Sequence, residues 1–410
     1  MASSSGSVRA LLAALLLLVV SLTALGCGSS GGGGSNSSTG SSGENNKLEV
    51  ALQDDAVFLN RSYYDRERAL AQAQKMGVTR LRVLVIWGRV PGAEPDSGTA
   101  PAHPKWNWVN YDSLINDAAR HGIRLQLDLT GPAPAWATGN GKQGVVHPDP
   151  QKFGEFAAAA AKHFKGRVDR YSIWNEPNYV GWLAPARKQP QLYRALYTQA
   201  YNAIKKTDPS AQVLIGETAP YHLAGRATAP LKFLRGVTCR NEIYAPAKHC
   251  ATLHADGYAH HPYEFANPPQ APYPGADNVT VGSLSRLTKA LDKLASVKAL
   301  TTPDGKPLDI YLTEFGYFAS GPVAVPPAKR ADYLKTAFDI AARNPRVKQM
   351  LQYILVAPPP GVRFNTSLIE QDGKPTGPYL ALSKWARGEV GSGRVEANPG
   401  TIKLPAPPGS

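Results

Sequence analysis

The sequence predicts an α/β fold, a (β/α)8 TIM barrel in a single domain, and three observations carry that prediction. From residue 47 onward, short apolar or β-branched runs alternate with longer segments of helical period, the pattern of βα units on a parallel sheet. Eight runs of the first kind can be counted, and eight strand-helix units in roughly 350 residues match the size of a barrel with enlarged loops. A doubly wound open sheet would alternate in the same way. There, however, a Gly-rich phosphate turn is expected after the first strand, and Gln53-Asp54-Asp55 stands in its place.

The eight runs cover residues 48–52, 79–86, 124–129, 168–174, 213–216, 253–259, 308–313 and 349–355. Helices are predicted between and after them, around 66–75, 109–121, 151–165, 191–206, 228–236, 281–298, 328–343 and 377–387. The helix over 281–298 has the clearest pattern. Leu284, Leu287, Leu291 and Leu294 recur at spacings of three and four and form one stripe to bury, while Lys289, Asp292 and Lys293 fall elsewhere on its surface. The tail over 396–410, rich in Pro and Gly, reads as frayed.

The first 26 residues read as a signal peptide: Arg9 precedes an apolar run from Ala10 to Val20, too short to span a bilayer comfortably, and small residues follow. Thr23-Ala24-Leu25-Gly26-Cys27 resembles the lipobox of bacterial lipoproteins, which implies lipidation of Cys27 and a membrane anchor. Residues 27–46 are then the anchor cysteine and a Gly/Ser tether with a mean reach of about 25 Å. The globular domain occupies 47–395. The expected location is the outer face of the bacterial cell membrane, or the medium if the cysteine is not acylated.

With Cys27 assigned to lipid, Cys239 and Cys250 are two thiols in an exported chain and are expected to form a disulfide. The net charge of +14 points to attraction toward anionic surroundings, but the basic residues are dispersed. No Lys/Arg block interleaves with aromatics, so a solvated basic surface is the reading and nucleic acid is not an expected partner.

In such a barrel the active site lies at the C-terminal ends of the strands. The fourth run closes in Trp174-Asn175-Glu176-Pro177 and the seventh in Thr313-Glu314-Phe315-Gly316. Strands four and seven face each other across a barrel, so Glu176 and Glu314 can oppose each other over a cleft. Paired carboxylates at suitable separation are what glycosidic bond cleavage needs.

These two motifs, at those strand numbers, resemble glycoside hydrolase clan A, the retaining (β/α)8 hydrolases, and within it families 39 and 5; the resemblance spans about 48 to 390. It implies an enzyme hydrolysing O-glycosyl bonds of a poly- or oligosaccharide, with Glu176 as acid/base and Glu314 as nucleophile. It further implies that Asn175 hydrogen-bonds the sugar 2-hydroxyl, that Arg82 on strand two keeps the nucleophile ionised, and that His261 or Tyr263 on strand six bonds the nucleophile. No cofactor is implied. Two departures set the chain apart from familiar cellulases: no histidine follows Asp128 at the end of strand three, and Gln352-Tyr353 stands on strand eight where a tryptophan often closes the sugar site. The same barrel could instead serve as a non-catalytic surface protein that binds carbohydrate, or as a transglycosylase, which uses the same covalent intermediate.

The remaining candidates are weaker. Trp87, Trp136 and Trp182 follow strands two, three and four and are expected at the rim of the cleft, where flat rings stack on sugar faces, with Tyr317 and Phe318 as further candidates. Glu217, closing strand five, lacks a preceding asparagine and reads as substrate-binding or structural. Asp54 and Asp55 either bind sugar hydroxyls or cap the first helix. His254, Asp256, His260 and His261 cluster in sequence, but strand alternation splits them between faces, and no metal site is expected. Specificity should reside in the loops over 88–107, 131–150, 178–190 and 262–280. A monomer is the default.

Overall fold

The computed structural model describes residues 47–90, 92, 104–265 and 267–406, all within one compact unit. The expected signal peptide, Cys27, the expected tether and the last four residues lie outside the described residues. Eight parallel strands close into a barrel: β1 (Glu49–Gln53), β2 (Arg80–Ile86), β3 (Arg124–Thr130), β4 (Arg170–Ile173), β5 (Gln212–Thr218), β6 (Gly257–His260), β7 (Ile310–Leu312) and β8 (Val347–Tyr353). The first strand pairs with the second through Ala51 and Arg80 and with the last through Gln53 and Tyr353, which completes the closure. Among the described residues no helix is long and apolar enough to cross a membrane.

Among the described residues, after a single turn of helix at Asp55–Phe58, one longer helix follows each strand: α1 (Arg66–Met76), α2 (Val109–Arg120), α3 (Pro150–Phe164), α4 (Gln189–Thr207), α5 (Pro230–Val237), α6 (Leu284–Ser296), α7 (Pro327–Ala342) and α8 (Gly377–Gly391). Their starts are written locally. Asp65 accepts the amide of Arg68 at 2.8 Å, and Asp149, ahead of Pro150, accepts those of Gln151 and Lys152, so orphan donors of the first turn are satisfied. The stripe on α6 is buried as its spacing requires: Leu284, Leu287, Leu291 and Leu294 all pack into the core, while Lys289, Asp292 and Lys293 face solvent.

The sixth run departs from expectation. Leu253–His254 leaves the barrel to pair with Leu300–Thr301, and the barrel strand begins only at Gly257. The break falls at Asp256, whose carboxylate accepts the amide of Val213 at 2.8 Å and lies 2.7 Å from Lys205 Nζ. The tail differs too. Glu396 N donates to Leu48 O at 3.0 Å, Asn398 Nδ2 to the carbonyls of Val78 and His121, and Ile402 N to Ala119 O at 2.8 Å, so the segment expected to fray is fastened across the barrel at least to residue 402. Cys239 and Cys250 form the expected disulfide.

Inside the barrel, the N-terminal end is closed by charge. Arg80 bridges Glu49 and Asp169, Arg170 contacts Glu49 and Gln349, and the Arg170 guanidinium lies 4.5 Å over the ring of Tyr311. Burial alone would raise the Glu49 carboxyl, but the two arginines outweigh it and hold it near about 2. This end is therefore a packed plug, and the open end is the other one.

Candidate active site

The floor of the open end is a hydrogen-bonded network centred on Arg82, which is fully buried with all three guanidinium nitrogens engaged. Its Nη1 donates to Gln53 Oε1 at 2.5 Å and to Glu314 Oε1 at 2.8 Å. Nη2 donates to Asp128 Oδ2 at 2.9 Å and Asn175 Oδ1 at 2.7 Å, and Nε to Glu217 Oε1 at 3.2 Å. The placement follows from strand alternation, which points Arg80 and Arg82 inward on one strand, each into a ring of carboxylates.

Glu217 is the second hub. It accepts from Thr313 Oγ1 at 2.6 Å, from Gln126 Nε2 at 3.3 Å and from His261 Nε2 at 2.8 Å. Burial opposes its charge, yet Arg82 and His261 prevail and hold its carboxyl down to about 2. The other ring nitrogen of His261, Nδ1, is 3.1 Å from Glu176 Oε1 and 3.7 Å from Glu314 Oε2. Burial would deprotonate this imidazole, but Glu314, Glu176 and Glu217 together push it up to about 10. At neutral pH His261 is thus a cation donating from both nitrogens. Because one atom reaches both glutamates, those two oxygens are no farther apart than the sum of its two distances.

Glu314 is held on both oxygens, since Tyr263 Oη donates to Oε2 at 3.1 Å opposite the Arg82 contact. Burial and the Glu314 charge both raise the Tyr263 phenol, so it stays a neutral donor. The backbone is bent where these groups emerge: Trp174, Glu176 and Glu217 have φ of 67°, 38° and 48°, left-handed values that side chains other than glycine rarely adopt. Above the floor opens a cavity of about 390 Å³ that both Glu176 and Glu314 line.

A cellulase model, glycosyl hydrolase family 5, matches residues 44–294. The chain belongs to this family. Solved structures extend the likeness to related barrels. A family 39 glycoside hydrolase from Bacteroides cellulosilyticus WH2 superposes with a TM-score of 0.61 at 21% identity, over 83% of this chain and 64% of the other. A monomeric β-xylosidase from Caulobacter crescentus CB15 gives 0.54 at 17% identity, over 82% and 67%. Xylanase 10B from Thermotoga petrophila RKU-1, solved with xylobiose, gives 0.54 at 16% identity, over 85% and 96%. The chain thus spans only about two thirds of the family 39 hydrolase and of the xylosidase. At these identities the likeness is one of fold. No curated protein matches the sequence.

Within this family 5 barrel, Asn175, Glu176, Glu314, Tyr263 and Trp182 line the cavity, while Arg82 and His261 lie fully buried in its floor. The choice between His261 and Tyr263 is resolved by geometry: Tyr263 bonds Glu314, and His261 bonds Glu176 and Glu217. Two tryptophans were expected at the rim and are elsewhere. Trp87 is in the core, stacked 5.8 Å from Phe156, because its short turn folds inward under α3. Trp136 packs edge-on against Trp87 and faces a separate pocket with His147 and Lys152. Tyr317 is buried, its hydroxyl on Asn267 O, and Phe318 packs behind Phe265 and Phe364.

Asp54 caps the first turn by accepting from Val57 N, and Asp55 accepts from Leu84 N and Gln53 Nε2, so both are structural. His254, Asp256 and His260 go to solvent, to Lys205 and to Thr218 respectively. Tyr179, Tyr221, Leu223, Phe265 and Phe364 also line the cavity and were not singled out by the sequence, although Tyr179 and Phe265 lie in two of the loops expected to carry specificity. Tyr353, noted there only as a departure, lines it as well.

Proposed function

We propose that the protein is a retaining O-glycoside hydrolase in which Glu314 is the nucleophile and Glu176 the general acid/base. The clamp on Glu314 carries this reading. A guanidinium on one oxygen and a phenol on the other hold that carboxylate in place and aimed into a cleft that Glu176 also lines. Retaining enzymes need a separation of about 5–5.5 Å, which falls inside the bound set by His261, whereas most of the inverting range of about 6.5–9.5 Å falls beyond it.

In the first step a Glu314 oxygen attacks the anomeric carbon, the glycosidic C–O bond breaks and Glu176 gives its proton to the leaving oxygen. Water then displaces the sugar from Glu314 while Glu176 takes the proton back. His261 Nδ1, 3.1 Å from Glu176 Oε1, is placed to hydrogen-bond the carboxylate formed between the two steps. Asn175 presents its NH2 to the sugar 2-hydroxyl, its oxygen being engaged by Arg82. The pattern of residues 1–46 supports export as a lipoprotein held at the outer membrane face through Cys27, with the 47–395 domain acting as a monomer on carbohydrate.

The test is a panel of activated aryl glycosides incubated with the protein and with Glu314→Ala and Glu176→Ala, the product anomer being read by NMR. Release by the wild type with retained configuration, abolished in Glu314→Ala, is the expected result. Glycan binding without turnover would point to the binding-protein reading.

A further inference from the structure

We infer that the leaving-group side of the cleft is built for an apolar aglycone, an alkyl or aryl group, in place of a second sugar; this rests on Glu176 being the acid/base. That residue protonates the leaving oxygen, so the leaving group must lie along the wall that carries it. The wall consists of the loops after β4 and β5, stitched together by Asn178. Its Oδ1 accepts from Ala219 N at 2.8 Å, and its Nδ2 donates to the carbonyls of Ala219 at 3.1 Å and Thr228 at 2.8 Å. Val180 N adds a bond to Arg226 O at 2.8 Å.

Toward the cavity this wall presents Trp182, Ala219, Pro220, Leu223 and Ala227, joined by the two phenols of Tyr179 and Tyr221. Beyond Glu176 and Asn175, whose amide is already assigned to the 2-hydroxyl of the sugar being cleaved, the described residues lining this wall include no carboxylate, amide or cation. The two groups best placed to bind hydroxyls are already engaged. Asn178 is buried on backbone carbonyls, and Arg226 lies 5.3 Å over the Tyr179 ring and donates to its hydroxyl. A second sugar here would lose water from several hydroxyls and find few partners, whereas a methylene chain loses nothing. A tryptophan alone would suit either ligand, but a wall of Leu, Pro and Ala does not. Leu223 lies at the rim of this wall and is 40% exposed.

The reaction is ordinary hydrolysis, water supplying the hydroxyl of the sugar and the proton of the alcohol. It is tested with n-alkyl glycosides from ethyl to octyl of the sugar that the aryl panel identifies, all primary alcohols of nearly constant basicity, beside a disaccharide carrying the same non-reducing sugar. We expect kcat/KM to rise about two- to fourfold per methylene before levelling, as burial of each CH2 predicts, and the disaccharide to trail the octyl glycoside. Leu223→Asp, at an exposed position that tolerates polarity, should flatten that slope. A flat series, or a disaccharide cleaved faster than the octyl glycoside, overturns the inference while leaving the hydrolase standing. No turnover of any glycoside, aryl ones included, overturns the hydrolase and this inference with it.

Discussion

Replacing Glu217 by glutamine removes one negative charge from the floor of the cleft at nearly constant volume. The carboxylate is fully buried and bonded to Thr313, His261 and Arg82 at 2.6, 2.8 and 3.2 Å. In the variant an NH2 must face at least one of these donors, and the His261 and Arg82 cations lose a counter-charge that water cannot replace. Breaking one member out of a buried ionic cluster costs about 3–5 kcal/mol, and glutamine, which can still accept one bond, should fall at the lower end.

The pH dependence fixes the sign. His261 has its pKa raised to about 10, so its contribution is complete below its unfolded value and is lost as pH rises through 10. Glu217 has its pKa lowered to about 2, so its contribution is complete above its unfolded value and is lost as pH falls through 2. The stability gap between wild type and Glu217→Gln should therefore be widest from about pH 5 to 7 and narrow toward pH 10. Urea denaturation at pH 4, 6.5 and 9.5 measures it. A gap under about 0.5 kcal/mol at pH 6.5, or one that does not change with pH, would refute the picture of a charged His261 held by Glu217.

Four further outcomes follow from the same geometry. Tyr263→Phe removes the hydroxyl on Glu314 Oε2 and should lower kcat about 10- to 100-fold with little change in KM, the worth of a hydrogen bond to a charged group; steady-state kinetics decides it. Trp87→Ala should cost about 3–5 kcal/mol in denaturant unfolding, as deletion of a fully buried ring does, whereas Trp182→Ala should mainly raise KM. Asn398→Ala unfastens the tail from the carbonyls of Val78 and His121 and should cost about 1–2 kcal/mol; thermal unfolding of the variant would show whether the tail matters to the barrel.

The features legible in the sequence share one property: each is local. The two glutamates and their asparagine stand at strand ends, the β2 arginine interrupts an apolar strand, and the α6 stripe repeats within one helix, all readable as local period and interruption. What was misread depends on long-range contact. Trp87 and Trp182 both follow strands, yet one turn folds under α3 and the other faces the cleft, and no nearby residue distinguishes them. The sixth run looked continuous because its break is made by Val213 and Lys205, far away in the chain. The tail has the composition of a frayed end, and what holds it is long-range contact, among it the carbonyls of Leu48, Val78, Ala119 and His121. Phe265 and Phe364 join the cleft from different loops by packing on one another, 6.1 Å between centroids, which composition cannot foretell.

The left-handed backbone at Trp174, Glu176 and Glu217 bears on any effort to make this protein hardier. Conformations of that kind cost about 1–3 kcal/mol each for a residue with a side chain, and glycine would relieve them. A screen that selects for heat resistance alone would thus be rewarded for relaxing Glu176, on the cleft wall, whereas at Trp174 and Glu217 the loss of a buried ring or of the ionic hub outweighs the relief. Thermal tolerance and turnover should trade against each other there, and a library meant to improve both is better aimed at the helices, far from these bends.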